Sequence, residues 1–179
     1  MKKLFIGAIV GSILLFFLQF LSWGLLNIHK NEMSYTEKQD TIMQFLGRNL
    51  KEGYYFLPTV PEGTSQEESA KAMEESVGKP WAMIQYHESM TNNMGMNMFR
   101  GWVVDLIAVL LLGWLLMKFA NLNFTTTVLA SWAVGFIGFL TVTYTNSIWF
   151  EGCTIPALID VVVQWGVVGA WLGWWLTRK

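Results

Sequence analysis

Two carboxylates stand where carboxylates are costly. Asp105 is the only charge between Gly101 and Met117, and Asp160 the only one between Gly152 and Thr177, in stretches built otherwise of apolar residues. An ionisable group at mid-membrane costs about 2.5–3.5 kcal/mol on insertion scales, less near an interface, so each carries a functional reading by default. Gln164 follows Asp160 by four residues and shares its helical face. Gln19 and Ser22 lie near the end of the first apolar stretch, and Thr141, Thr143, Tyr144, Thr145 and Asn146 near the end of the third. Gln19, Asp105, Tyr144, Asp160 and Gln164 therefore predict a polar pocket open to the outside, for a cation, proton or small molecule, roofed by His29, His87 and Arg100. The structural reading stands beside it: such acids reach into headgroups, pair with Arg100, or favour a helix N-terminus, as Asp160 does four residues after Pro156.

The run "HESMTNNMGMNMFRGWVVD" offers a second chemistry. On one continuous helix, His87, Met90, Met94, Met98, Gly101 and Asp105 fall at steps of three or four on a common face, with Met96 elsewhere. Thioether sulfur and imidazole suit Cu(I), and a loop bent at Gly95 brings Met96 in as a third ligand beside Met94 and Met98. Methionine is equally a flexible apolar filler, and Met43, Met73 and Met117 have no metal-like neighbours. Gly95 and Asn92-Asn93 make a helix break there as reasonable as continuity. No cofactor is otherwise expected.

Enzyme chemistry has little support. A membrane-surface hydrolase or transferase would use His87, Glu88 or His29 with the two acids, and the two histidines have no defined spacing to a nucleophile. The single cysteine, Cys153, excludes dithiol chemistry. A net charge of −1 argues against nucleic acid as a partner.

The elements that must hold these residues are legible in the composition. Of 179 residues, 53% are hydrophobic and 14% charged, in long blocks. Leu4 to Leu26 is free of charge and exceeds the roughly 20 residues a spanning helix needs. No small-residue cleavage site follows it, so it reads as an uncleaved anchor. Three more spans fall at about 101–118, 125–145 and 156–176. The expected fold is all-α: an integral membrane bundle of four transmembrane helices, the first within 1–26 and the others within 101–179, with a small helical extracytoplasmic cap at 27–100. With the N-terminus in the cytoplasm, Lys2, Lys3, Lys118, Arg178 and Lys179 all lie inside without a single acid. The C-terminus is then cytoplasmic too. Trp23, Trp102 and Trp149 mark the outer interface, and Trp171, Trp174 and Trp175 the inner one.

Within 27–100, Ser34 and Glu37 predict a capping box opening an amphipathic helix that ends at Gly53, and Ser65 with Glu68 predict a second ending at Gly78. Between them "YYFLPTVPEG" is a proline-punctuated connector. Pro80 stands as the first residue of a third helix, "PWAMIQYHESM". Gly7 with Gly11, and Gly169 with Gly173, are small-xxx-small pairs that let helices one and four approach each other or another membrane protein.

The closing segment "IWFEGCTIPALIDVVVQWGVVGAWLGWW" resembles that of a family of small bacterial four-helix membrane proteins known only as a domain of unknown function. Phe150-Glu151, Ile159-Asp160 and Gly166, Gly169 and Gly173 carry the resemblance, over about the last 30 residues. It implies a bacterial inner membrane and no particular activity. The expected function is a non-enzymatic component of an envelope complex, with the lipid bilayer and a membrane-protein partner or second copy as its contacts. The alternative is a small transporter or binding protein using the Asp105/Asp160 pocket, with Cu(I) at the methionine run as a special case.

Overall fold

The structure is a computed structural model and describes residues 2–178. The chain runs α1 (Lys2–Phe20), α2 (Gln39–Asn49), β1 (Gly53–Leu57), α3 (Gln66–Ser76), β2 (Ala82–Tyr86), α4 (Met94–Leu116), α5 (Phe124–Gly138), α6 (Thr145–Phe150) and α7 (Ile155–Thr177). These form two compact units, one made of the chain up to Ser34 and from Asn93 onward, the other of Tyr35–Asn92.

The first unit is a bundle of four helices long and apolar enough to cross a membrane. α1 packs between α4 and α7, and α7 also packs on α5. Ala8, Leu15, Val109, Leu112, Leu116, Val168 and Leu172 make a narrow shared core. The glycine pairs serve these contacts. A methyl group on Gly7 would stand 2.8 Å from Trp175 of α7, and one on Gly169 would stand 3.1 Å from the Cα of Val128 in α5. Trp171 and Trp175 use the α1 seam for hydrogen bonds as well as packing, donating to the carbonyl oxygens of Gly7 at 2.8 Å and Lys3 at 2.7 Å. Gly169 and Gly173 thus face α5 and not α1, and both glycine pairs are occupied inside the chain.

Two helices open into wider turns near one end of the bundle. α1 continues through a π-helical turn at Leu21–Leu25, closed by Leu26 N–H donating to the Leu21 carbonyl at 2.8 Å. α5 continues through another at Phe139–Tyr144 into α6, so the third apolar helix runs to Phe150. Glu151, at φ 51°, ends it in a left-handed residue. The polar stretch from Thr145 expected to end the helix is helical, and its hydroxyls are satisfied by carbonyls of their own helix, Thr145 by that of Leu140 and Ser147 by that of Tyr144, as Thr141 is by that of Ile137. α4 likewise begins at Met94, seven residues before the expected 101, and so includes the methionines.

The second unit corrects the all-α expectation. β1 and β2 pair antiparallel, with Tyr55 opposite Ile84 and Gly53 opposite Tyr86. The segment after Pro80 is a strand because its side chains alternate: Ile84 and Tyr86 turn inward while Met83 and Gln85 are exposed. Pro58 and Pro80 flank the ladder without interrupting it. The Ser34–Glu37 capping box is not used, since α2 opens at Gln39 after a side-chain-free cap at Lys38. The Ser65–Glu68 box is formed in both directions, the Ser65 hydroxyl accepting from Glu68 N–H at 3.3 Å and Glu68 accepting from Ser65 N–H at 3.2 Å. The Ser65 hydroxyl also donates to the Glu68 carboxylate at 2.8 Å, and this bond together with that from Ser65 N–H holds the carboxyl pKa below its usual value. The unit spans 35–92, narrower than the expected 27–100, because residues 27–34 and 93–100 belong with the bundle.

Candidate functional site

The polar residues of the bundle gather where α1 gives way to its wide turn. That turn and the helical residues before it present Gln19 and Ser22, three apart and so on one side, to two neighbours. Gln19 Nε2 donates to Asp105 Oδ1 on α4 at 3.0 Å. Ser22 Oγ donates to Asp160 Oδ1 on α7 at 2.6 Å. One turn of α1 therefore binds both carboxylates, each by its own side chain.

Their surroundings differ. Asp105 is 5% exposed, and its second oxygen, Oδ2, is buried without a hydrogen-bond partner. Asp160 has both oxygens engaged, since Oδ2 lies 3.0 Å from His29 Nε2. The other ring nitrogen of His29 lies 2.9 Å from Glu32 Oε1. An ionised carboxylate only accepts, so the imidazolium form, with an N–H at each ring nitrogen, can donate to both acids at once, whereas a neutral ring can donate to only one. His29 is 7% exposed and lies flat on Trp23, ring centres 3.8 Å apart and planes 6° from parallel, a geometry that suits a cation on an indole face. Burial is the strongest single influence on the ring and pulls its pKa down. The hydrogen bonds and charges of Asp160 and Glu32 together outweigh it, so the ring titrates above its ordinary 6.5.

A cavity of about 110 Å³ adjoins this cluster. Asp160, Gln164 and Ser22 line it among aliphatic side chains that include Leu26 and Ile28. Gln164 Nε2 is itself buried without a hydrogen-bond partner. Of the five expected pocket residues, Asp160 and Gln164 share this cavity, while Gln19 and Asp105 bond to each other outside its lining. Tyr144 packs against Phe139 in the α5 turn, is 47% exposed and bonds to neither acid. Among the expected roofing groups, His29 joins the cluster directly. Glu32 and Trp23 complete it and were not anticipated; the His29-x-x-Glu32 spacing was the available signal.

Ser22, Asp160 and His29 contain the residue types of a hydrolytic triad in the wrong order. A serine nucleophile gives its proton to histidine, which the carboxylate orients. Here the carboxylate lies between them and takes the serine proton bond itself, so no base strong enough to activate the hydroxyl faces it.

The methionine run is divided. His87 belongs to the second unit, where its ring bonds Gln85 at 3.0 Å and Glu52 at 3.2 Å. Met90 lies in the irregular segment before α4, so the continuous helical face through His87, Met90 and Met94 does not exist. Met94 and Met98 remain one turn apart at the start of α4, and both are exposed, as is Met96.

No family model matches the chain, and no curated protein or solved structure matches it.

Proposed function

We propose that the chain is a multi-pass protein of a bacterial inner membrane and acts as a non-enzymatic component of an envelope assembly. The observation that carries this is the division of labour on the four long helices: small residues, tryptophan N–H groups and a narrow aliphatic core serve contacts within the bundle, while large apolar side chains such as Phe5, Ile13, Phe17, Ile107, Leu111, Leu129 and Ile137 are exposed along its length. Such faces require lipid or another apolar helix. The misordered Ser22–Asp160–His29 cluster supports a role other than catalysis. The basic residues near Lys3, Lys118 and Arg178 support cytoplasmic termini, with Tyr35–Asn92 outside.

Alkaline phosphatase fused after Gly63 should be active, and the same enzyme fused after Arg178 inactive; the reverse pattern overturns the topology. Purification from native membranes in mild detergent should yield one membrane protein in fixed ratio with the chain. A lone monomer from gentle extraction, with no partner captured by prior cross-linking, overturns the assembly role.

A second reading is favoured by Gln164. Gln164 lines the cavity with Asp160 and Ser22 among aliphatic side chains, a lining that suits a small solute with one polar end. Gln164→Leu abolishing solute binding while leaving expression unchanged supports this reading; unchanged binding removes it.

A further inference from the structure

The cavity beside Asp160 is bounded on one side by the segment that follows α1. Leu26 and Ile28 belong to that segment, and His29, next along the chain, carries its polar attachments. The backbone is bent there by Asn27, at φ 50°, and by the Ile28 N–H donating to the Ser22 carbonyl at 3.2 Å. The side-chain fastening is His29, with Nε2 on Asp160 of α7 at 3.0 Å, Nδ1 on Glu32 at 2.9 Å, and its ring on Trp23. Among the described residues, the charged groups acting on the ring are Asp160 from α7 and Glu32 from its own segment; α1 and its wide turn present the neutral Trp23 face and, through Asp160, the Ser22 hydroxyl.

We propose that His29 is a proton-operated latch: with two ring protons it fastens the Leu26–His29 segment over the Asp160–Gln164 cavity, and with one it releases the segment and opens the cavity to a small solute. A neutral ring has a single N–H, so one nitrogen turns a lone pair toward a carboxylate. Glu32, with its side chain 27% exposed, can turn to solvent, and Asp160, 17% exposed, then keeps at most a neutral N–H in place of an imidazolium, so both attachments weaken together. Opening lets more water reach the Asp160 carboxylate in place of the lost charge. The latch rests on the solute-cavity reading for its purpose, not for its operation.

Accessibility tests it. The chain has two histidines and one cysteine, so H87N leaves His29 as the sole imidazole and C153S leaves no thiol. In native membranes, Q164C in the C153S/H87N background is treated with a small water-soluble methanethiosulfonate across the pH range. Each rate is divided by that of exposed Cys153 in the otherwise unmodified chain at the same pH, which corrects for the reagent and for an ordinary thiol; the titration peculiar to the introduced thiol is shared by the H29Q variant and is read from it. The normalised rate should rise about tenfold per pH unit until the site is fully open, over the interval in which the 15N shifts of His29 report loss of one proton. H29Q should give a high rate at every pH. A flat normalised rate through the His29 titration, or the same profile in H29Q, overturns the latch. L18C, at another residue lining the cavity, gives the same readout if Q164C does not accumulate. A cavity that opens with pH but binds no solute leaves the latch standing and removes the solute reading, and binding without pH-dependent opening does the reverse.

Discussion

Ser22 donates its hydroxyl proton to Asp160 across the α1–α7 seam at 2.6 Å, and the serine is almost wholly buried. A hydrogen bond to a charged acceptor contributes about 1.5–3 kcal/mol, and removing the donor leaves the acceptor unsatisfied. Ser22→Ala should therefore lower stability by about that amount. Ser22→Thr, which keeps the hydroxyl, should cost less. Thermal unfolding in detergent distinguishes them, and equal losses for the two variants would show that the site is governed by packing.

The same cluster sets a pH dependence. His29 titrates above 6.5 in the folded chain, so its contribution to stability is fully present below the unfolded value of about 6.5 and is lost as pH rises through the higher folded value. Melting temperature should fall across that window in the wild type and stay level there in H29Q. A wild-type curve that rises as pH increases from 6.5 would reverse the sign and contradict the bonding of both ring nitrogens.

How much of this was readable from residue types depends on whether the decisive contact is local. The four apolar helices were legible because a charge-free run of that length has few alternatives. Asp105 and Asp160 stood out for the same reason, as did Gln19 and Gln164. Which side chain meets which acid was not legible, since it depends on the rotation of α1 against α4 and α7, set by Gly7, Gly11 and the tryptophans seated on them. Tyr144 was grouped with the acids by depth alone, and depth says nothing of face. The second strand is hard to foresee because Pro80 matches a helix start as well as a strand flank; the Ile84-Gln85-Tyr86 alternation is the better guide. Ser34 failed as a cap and Ser65 succeeded although both have Glu at the third position, which shows how weak a four-residue signal is without the helix behind it.

Gln19 and Asp105 predict a non-additive pair. Gln19 supplies the hydrogen bond on Asp105, whose other oxygen already lacks one. Gln19→Leu leaves a buried carboxyl with no donor and should cost about 1–3 kcal/mol or more. Asp105→Leu combined with Gln19→Leu replaces the polar pair by an apolar one and should recover much of the loss. Additive losses in the double variant would mean that the two groups act separately.

Met94, Met96 and Met98 are exposed on the first turns of α4, and the His87 ring is bonded elsewhere, which favours their role as apolar side chains. Replacing all three by leucine should leave expression unchanged and give the same weak Cu(I) titration as wild type under reducing conditions. Stoichiometric Cu(I) binding lost in the triple variant would restore the metal reading.

The glycine seats give the sharpest contrast between positions of one residue type. A Cβ on Gly169 would meet Ser131 Cβ at 2.8 Å and the Cα of Val128 at 3.1 Å, and a backbone atom cannot turn aside as the tip of a side chain can. Gly169→Leu should therefore force α5 and α7 apart and break the Trp132 N–H donation to the Val162 carbonyl, now 2.9 Å. Gly138 lies in the same α5 with nothing within 4 Å of its Cβ position. Gly138→Ala should leave the fold unchanged and stabilise it by about 0.5–1 kcal/mol, because alanine restricts the unfolded chain more than glycine does. Thermal melts of the two variants side by side read this directly. If Gly169→Leu melts like wild type, α7 is not seated on α5 through its glycines, and the close approach that positions Asp160 and Gln164 at the cavity must be held by something else.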